Sequence, residues 1–254
     1  MATITQKSLG SGNFGKLADA YKKGRRGVPD EVIDYLWSMI NSEQPLLLDI
    51  GCGTGIPTRQ LAERGARVNA TDIDAQMIKV AQEDTESITK LISYEVAPAD
   101  RQPYLDNTFD AVTIFGAFHW FTDAMLEIRR VLKPGGSIFV VNKNDDPAFL
   151  KPRREILSRF IGAEVPSRKE SYRPQQILQA SGFGVVSTDH FVALEFYTLA
   201  EMMAHVQSIS AWNLIPEAMQ PAALNALRDY YTEQLVDGLI ERRLDIVVQV
   251  GRKP

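Results

Sequence analysis

Two carboxylates and the glycines between them are the residues most able to do chemistry in this sequence. Asp49 lies within "LLLDIGCGTG", residues 46–55, and Asp72 within "ATDIDAQ", residues 70–76. Leu46, Leu47, Leu48 and Ile50 read as a strand buried on both faces, as in a parallel sheet. A carboxylate in such a strand is costly unless paired, so a polar or cationic group is expected at its end. Gly51, Gly53 and Gly55 remove side chains where the chain turns sharply or lets a ligand approach the backbone. A glycine turn leading into a helix gathers N–H groups and a partial positive charge at one spot.

The spacing selects among ligands. Dinucleotide loops run G-x-G-x-x-G, with an acidic residue further on for the ribose. Here the run is G-x-G-x-G, and Ile56 and Pro57 follow where a third glycine belongs. Pro57 fits a first helical turn instead. Asp49 would repel a pyrophosphate but suits an ammonium or sulfonium. Asp72 at the end of the second strand can accept both ribose hydroxyls, and Ile73 can press on an adenine face. The site therefore wants a ribose, an adenine and a cationic group, and S-adenosylmethionine has those parts.

Other candidates carry weaker signals. His119 and Trp120, in "FHWF", follow the fourth strand at the carboxyl edge, where such sheets bind ligands. They read either as a packing pair or as the wall of a substrate pocket, with His119 as a general base in the narrowest version. Cys52, the only cysteine, has no obvious base beside it. With three histidines, at 119, 190 and 205, no metal-ligand spacing appears. Tyr21 and Arg25 could meet a cofactor or a substrate carboxylate, or end a solvated basic helix. In "HVQSISAWNLIP", Ser208 and Trp212 read equally as substrate cap and as ordinary helix end.

The elements that must position these residues alternate. Strands at "PLLLDI", "ARVNATDI", "LISYEVA", "FDAVTIFGA" and "SIFVVN" are separated by helices at "IPTRQLAERG", "DAQMIKVAQED" and "DAMLEIRRVL", with "KPGG" as a turn before the fifth strand. That rhythm predicts an α/β fold with a doubly wound parallel sheet. Residues 1–13 are polar and expected to be mobile. Beyond residue 142 the rhythm loosens into helical stretches, one long strand or two at "GVVSTDHFVALEFYTL", a helix running through "PEAMQPAALNALRDYYTEQLVDGLIERR" and a closing strand at "DIVVQVG". The 254 residues carry 44% hydrophobic and 24% charged side chains and a net charge of −4. These values suit a globular protein and disfavour nucleic acid as a partner. No stretch approaches the roughly 18 apolar residues of a membrane span, and the first residues lack a signal-peptide core. A single cysteine suits a reducing compartment, so a cytoplasmic location is expected.

"LLLDIGCGTG", "ATDIDAQMIKVAQ", "NTFDAVTIFGAFHWF" and "RVLKPGG", in order over residues 45–142, resemble class I S-adenosylmethionine-dependent methyltransferases. "VAPADRQPYLDNTFD…AFHWF" and the N-terminal "FGKLADAYKKGRRGVPDEVIDYL" are similar to the small-molecule branch that includes trans-aconitate methyltransferases. The resemblance implies one domain, 1–254, on a seven-stranded Rossmann-like sheet of order 3-2-1-4-5-7-6 with strand 7 antiparallel. N-terminal cap helices would occupy 1–44 and the cofactor core 45–142. The rest of the sheet and a helical substrate cap would occupy 143–254. It also implies roles. Asp49 would lie near the methionine end of the cofactor, with Gly51, Cys52, Gly53 and Gly55 as backbone contacts. Asp72 would take the ribose, and Ile73 and Met77 would flank the adenine. Pro98 stands where an acidic side chain often meets the adenine amino group, leaving Asp100 or the backbone at Ala99 to substitute. Phe115, Gly116 and Ala117 would meet the methionine moiety. The expected reaction is in-line methyl transfer to a small molecule at a carboxylate or other oxygen, by a monomer or homodimer. The alternatives are methylation at nitrogen or carbon, or cofactor binding without transfer.

Overall fold

The computed structural model describes residues 18–85, 90–165 and 172–254. The stretch expected to be mobile, 1–13, and the first four residues of the N-terminal helical pattern lie outside the described residues. So does part of the expected cap, at 166–171.

Seven strands form one sheet in the order β3-β2-β1-β4-β5-β7-β6. They are β1 (Leu46–Ile50), β2 (Arg67–Asp72), β3 (Ile92–Val96), β4 (Phe109–Phe115), β5 (Leu132–Asp145), β6 (Gly184–Tyr197) and β7 (Ile240–Arg252). β1 pairs in parallel with β2 and β4, β2 with β3, and β4 with β5. Strand 7 runs antiparallel. Its direction follows from two main-chain bonds, Gly135 N to Lys253 O and Asp146 N to Arg243 O, in which one partner number rises as the other falls.

Local sequence explains the elements that carry the site. α3 (Ile56–Glu63) begins at a left-handed Gly55 with Pro57 in its first turn. α4 (Ala75–Thr85) is capped by Asp74, whose Oδ1 accepts from the N–H of Gln76 at 2.9 Å. α5 (Met125–Val131) packs Met125, Ile128 and Val131 into a cluster with Val112, Ile114 and Ile138 of the sheet. Burying each such side chain contributes roughly 1.5–3 kcal/mol before entropy is counted.

Two boundaries depart from the sequence expectation. "KPGG" does not precede β5 but lies inside it. Phe109 pairs with Leu132 and Ala111 with Ser137, so residues 133–136 bulge opposite Asp110. Lys133 ties the bulge to Asp110 at 2.6 Å, and Gly135 and Gly136 bond to Lys253. The last helix, α9 (Gln220–Thr232), ends well before "IERR". Asp237 and Gly238 both adopt positive φ, the chain reverses, and β7 starts at Ile240 with alternating burial.

The chain divides into two compact units. One comprises Arg26–Lys143, Ser171–Phe191 and Ile246–Pro254. It holds α2 (Asp30–Ser38), α7 (Pro174–Ala180) and the core around Phe109, Ile114 and Phe118. The other is drawn from Met1–Arg25, Asn144–Glu170 and Val192–Asp245. Its described part gathers α6 (Pro147–Ile161), α8 (Leu199–Gln207) and α9 around Met202, Trp212, Leu227 and Tyr231, with α1 (Ala18–Gly24) packed on α8. In that unit α1 meets α8 so closely that a Cβ on Gly24 would lie 2.1 Å from His205 N.

Candidate cofactor site

Asp49 is 1% exposed, in the middle of the parallel sheet. The group that meets it is a pair of hydroxyls. Thr58 Oγ1 donates to Oδ2 at 2.6 Å from the first turn of α3. Thr113 Oγ1 donates to Oδ1 at 3.0 Å from the directly paired position on β4. Sequence reading missed both threonines, because each reaches Asp49 from a different element. Burial raises the Asp49 pKa, the two hydroxyls pull it back, and the balance is about 6. Among the described residues no cationic side chain bonds to it.

Holding this carboxylate ionised at pH 7 costs about 3 kcal/mol, the shift from 3.8 to about 6 expressed as free energy. The sign follows from linkage. A pKa raised by folding stabilises below the unfolded value, and that contribution is lost as pH rises through about 6. Asp49→Asn removes the titration. In urea melts its stability relative to wild type should therefore improve by about 3 kcal/mol between pH 3 and pH 7. A difference independent of pH would show that Asp49 is not a strained buried charge.

Asp72 ends β2 half-buried, and burial raises its pKa. Its Oδ2 accepts from Gly53 N at 2.9 Å and its Oδ1 from Asp74 N at 2.9 Å. One backbone N–H on each oxygen fixes the carboxylate and leaves further lone pairs on both. The glycine loop is anchored by Gly51 N and Cys52 N on Thr71 O, at 2.8 and 3.1 Å. Gly51, Gly53 and Gly55 all have positive φ. A Cβ on Gly55 would meet Tyr94 Oη at 2.4 Å, and one on Gly51 would meet Ala117 Cβ at 2.8 Å. The loops after β1 and β4 are thus in contact. Thr54 Oγ1, buried within the glycine loop, has no partner among the described residues. Its only sequence signal was its place among the glycines.

Cys52 is buried beside Ala70 and Ile78. Burial first, then Asp49 and Asp72, raise its thiol pKa well above the ordinary value, so the sulfur stays protonated. Ile73 is 60% exposed while Met77 is sealed in the core. Pro98 and Ala99 are half-buried, and Asp100 is exposed. Their turn is held by Gln102, whose Nε2 donates to Pro98 O at 2.8 Å. Phe115 and Ala117 are half-buried on either side of Gly116, whose missing side chain would face open space. His119 and Trp120 share the 3-10 turn Phe118–Trp120. The buried imidazole lies 4.7 Å from the Trp120 ring and 6.0 Å, edge-on, from Tyr172.

The other predicted residues lie in the second unit. Arg25 Nε donates to Ser208 Oγ at 2.9 Å, and its guanidinium stacks 4.8 Å from the Tyr21 ring. Ser208 Oγ donates in turn to His205 O at 2.6 Å. Trp212 is part of the apolar core there. Among the described residues no cluster of His, Cys, Asp and Glu could hold a metal, and no helix is long and apolar enough to cross a membrane.

Residues 48–140 match the family model for a methyltransferase domain. An uncharacterized methyltransferase of Mycobacterium tuberculosis is 34% identical over 151 residues, 58% of this chain and 59% of that protein. The chain thus spans about three-fifths of the length of that relative. A ubiquinone biosynthesis O-methyltransferase of Xanthomonas oryzae is 30% identical over 167 residues, 63% of this chain and 70% of that protein. A solved methyltransferase structure from Anaeromyxobacter dehalogenans shares the fold, with a TM-score of 0.62 and 22% identity, over 90% of this chain and 97% of that one. Sheet order, glycine loop and relatives agree, and the chain belongs to the class I S-adenosylmethionine-dependent methyltransferases.

Proposed function

We propose that this chain is an enzyme that transfers a methyl group from S-adenosylmethionine to a small molecule, at a carboxylate or other oxygen. The observation that carries the reading is Asp49. Among the described residues it is a buried carboxylate with hydroxyl partners but no cation, next to a glycine loop whose Thr54 hydroxyl is unmet. That donor set fits a cationic, adenosine-bearing cofactor. Asp49 is assigned to the methionine end, Asp72 to the ribose hydroxyls and exposed Ile73 to an adenine face. Met77 supports that platform from within the core. The backbone at Gly51, Cys52, Gly53 and Gly55, at Ala99 and Asp100, and at Phe115, Gly116 and Ala117 is assigned to the remaining contacts. Trp120 is assigned to acceptor recognition, and residues 45–142 to the cofactor core.

When bound, the cofactor supplies an activated methyl group on a good, neutral leaving group. The chain's residues then have to hold the acceptor in line and keep water out. A carboxylate acceptor needs no base. A hydroxyl, amine or acidic carbon would use one, and His119 is the residue assigned to that role.

The test is transfer of labelled methyl from S-adenosylmethionine to a panel of small carboxylic acids, phenols and amines. Wild type is expected to label a carboxylic acid or phenol. With a phenol as acceptor, His119→Ala should lower turnover roughly 10²-fold with little change in affinity for S-adenosylhomocysteine, whereas a carboxylate acceptor should be insensitive to it. Unchanged turnover of the phenol would return His119 to a packing role. Labelling of amines alone would replace oxygen by nitrogen as the target.

A further inference from the structure

The unit that holds α1, α6, α8 and α9 has an unusual interior. Three guanidiniums and two carboxylates meet inside it. Arg242 donates from Nε to Asp145 Oδ1 at 2.5 Å and from Nη1 to Glu195 Oε2 at 2.8 Å. Arg153 donates from Nη2 to Asp145 Oδ2 at 2.7 Å. Arg25, half-buried on Ser208, is the third cation, and its field reaches both Arg153 and Arg242. Among the described residues the cluster holds one more guanidinium than carboxylate. A buried uncompensated charge is among the costliest features a fold can carry.

The unmet hydrogen-bonding capacity lies in the same place. Arg153 is 5% exposed, yet its Nε and Nη1 have no acceptor among the described residues. Tyr231 is fully buried, and its hydroxyl faces the Arg153 guanidinium without making a hydrogen bond of normal geometry. His205, 1% exposed, donates from Nδ1 to Gly24 O at 3.0 Å and is held neutral by burial and by the three arginines. Its Nε2 is then a lone-pair acceptor without a donor among the described residues. Buried polar groups are almost always paired, and here the Arg153 donors and the Tyr231 hydroxyl are left unmet beside each other.

The surroundings narrow the ligand further. Phe149 lies 5.8 Å from the Arg153 guanidinium and 5.9 Å from the Tyr231 ring. Ile156, Leu227 and Trp212 belong to the same apolar cluster. A strongly hydrated inorganic anion gains little there, whereas a single negative charge on a hydrocarbon body matches both the surplus cation and the apolar walls.

We propose that this unit binds a small organic monocarboxylate. Its oxygens accept from Arg153 Nε and Nη1 and from the Tyr231 hydroxyl, and its apolar body lies against Phe149. Nothing in this inference requires the methyltransferase reading, because every residue in it belongs to one unit and none belongs to the proposed cofactor site of the other. The experiment is a thermal-shift and calorimetric titration of the full chain with acetate, butyrate, hexanoate and benzoate, and with inorganic phosphate, at constant ionic strength and without cofactor. Ligands of the native state raise the melting temperature by mass action. Butyrate, hexanoate or benzoate should shift it, more strongly as the apolar body grows, and phosphate should not. Tyr231→Phe should weaken that binding about tenfold, the loss of one hydrogen bond to a charged group, without lowering the stability of the ligand-free protein. Arg153→Met should abolish it. Tyr231→Phe keeps the test decisive where Arg153→Met fails to fold. Absence of a shift with every carboxylate, an equal shift with phosphate, or unchanged affinity in Tyr231→Phe would each overturn the proposal. A ligand-free Tyr231→Phe protein that melts well below wild type would do so too, since its hydroxyl would then be satisfied within the fold.

Discussion

Replacing Asp72 with alanine will weaken S-adenosylhomocysteine binding by roughly 10²- to 10³-fold. Each hydrogen bond to a charged group contributes about 1.5–3 kcal/mol, and a ribose offers two hydroxyls to this one carboxylate. A second contribution comes from the loop. Asp72 Oδ2 holds Gly53 N and Oδ1 holds Asp74 N, so alanine also releases the turns on either side of the site. Asp72→Asn separates the two effects. It retains one acceptor oxygen, which can hold one of the two turns, and it removes the charge. Its affinity should fall between wild type and the alanine variant. Calorimetry on folded protein is the check, and wild-type affinity in Asp72→Ala would remove Asp72 from the cofactor site.

The largest stability effect is expected at Asp145, in the other unit. Burial alone would push its pKa up, but Arg153 and Arg242 outweigh burial and hold it at about 2. Each guanidinium bonds one of its oxygens, at 2.7 and 2.5 Å, and all three side chains are nearly solvent-free. Asp145→Ala would leave two buried cations facing each other, at a cost of about 3–5 kcal/mol. A carboxyl pKa depressed by folding stabilises above the unfolded value, so this contribution is complete above about pH 4 and lost as pH falls through about 2. Urea unfolding at pH 7 measures the loss. Adding Arg153→Met to Asp145→Ala should cost less than the sum of the single changes, because it removes one of the stranded charges. A cost below about 1 kcal/mol for Asp145→Ala would mean that the cluster is solvated like a surface ion pair.

Local signals carried much of this fold. β1 to β4 and the helices between them announced themselves by apolar runs, by Pro57 and Asp74 at helix starts and by Gly65 at a helix end. The glycine loop and Asp72 were legible because a loop and a strand end are local features. What sequence reading missed was non-local. Thr113 reaches Asp49 across 64 residues and Arg242 reaches Asp145 across 97, and neither distance leaves a periodic trace. The placement of "KPGG" inside β5 depends on Lys253, more than a hundred residues later. "IERR" continued a helical pattern until Asp237 and Gly238, two left-handed residues in a row, reversed the chain.

The central claim is that the glycine loop with Asp49 and Asp72 forms a site for S-adenosylmethionine. Calorimetric titration of the purified chain with S-adenosylhomocysteine, and in parallel with NAD, tests it most directly. The account predicts one-to-one binding of S-adenosylhomocysteine and no heat of binding with NAD. Binding of NAD with none of S-adenosylhomocysteine would contradict it, and the carboxylate at position 49 would then need a different explanation.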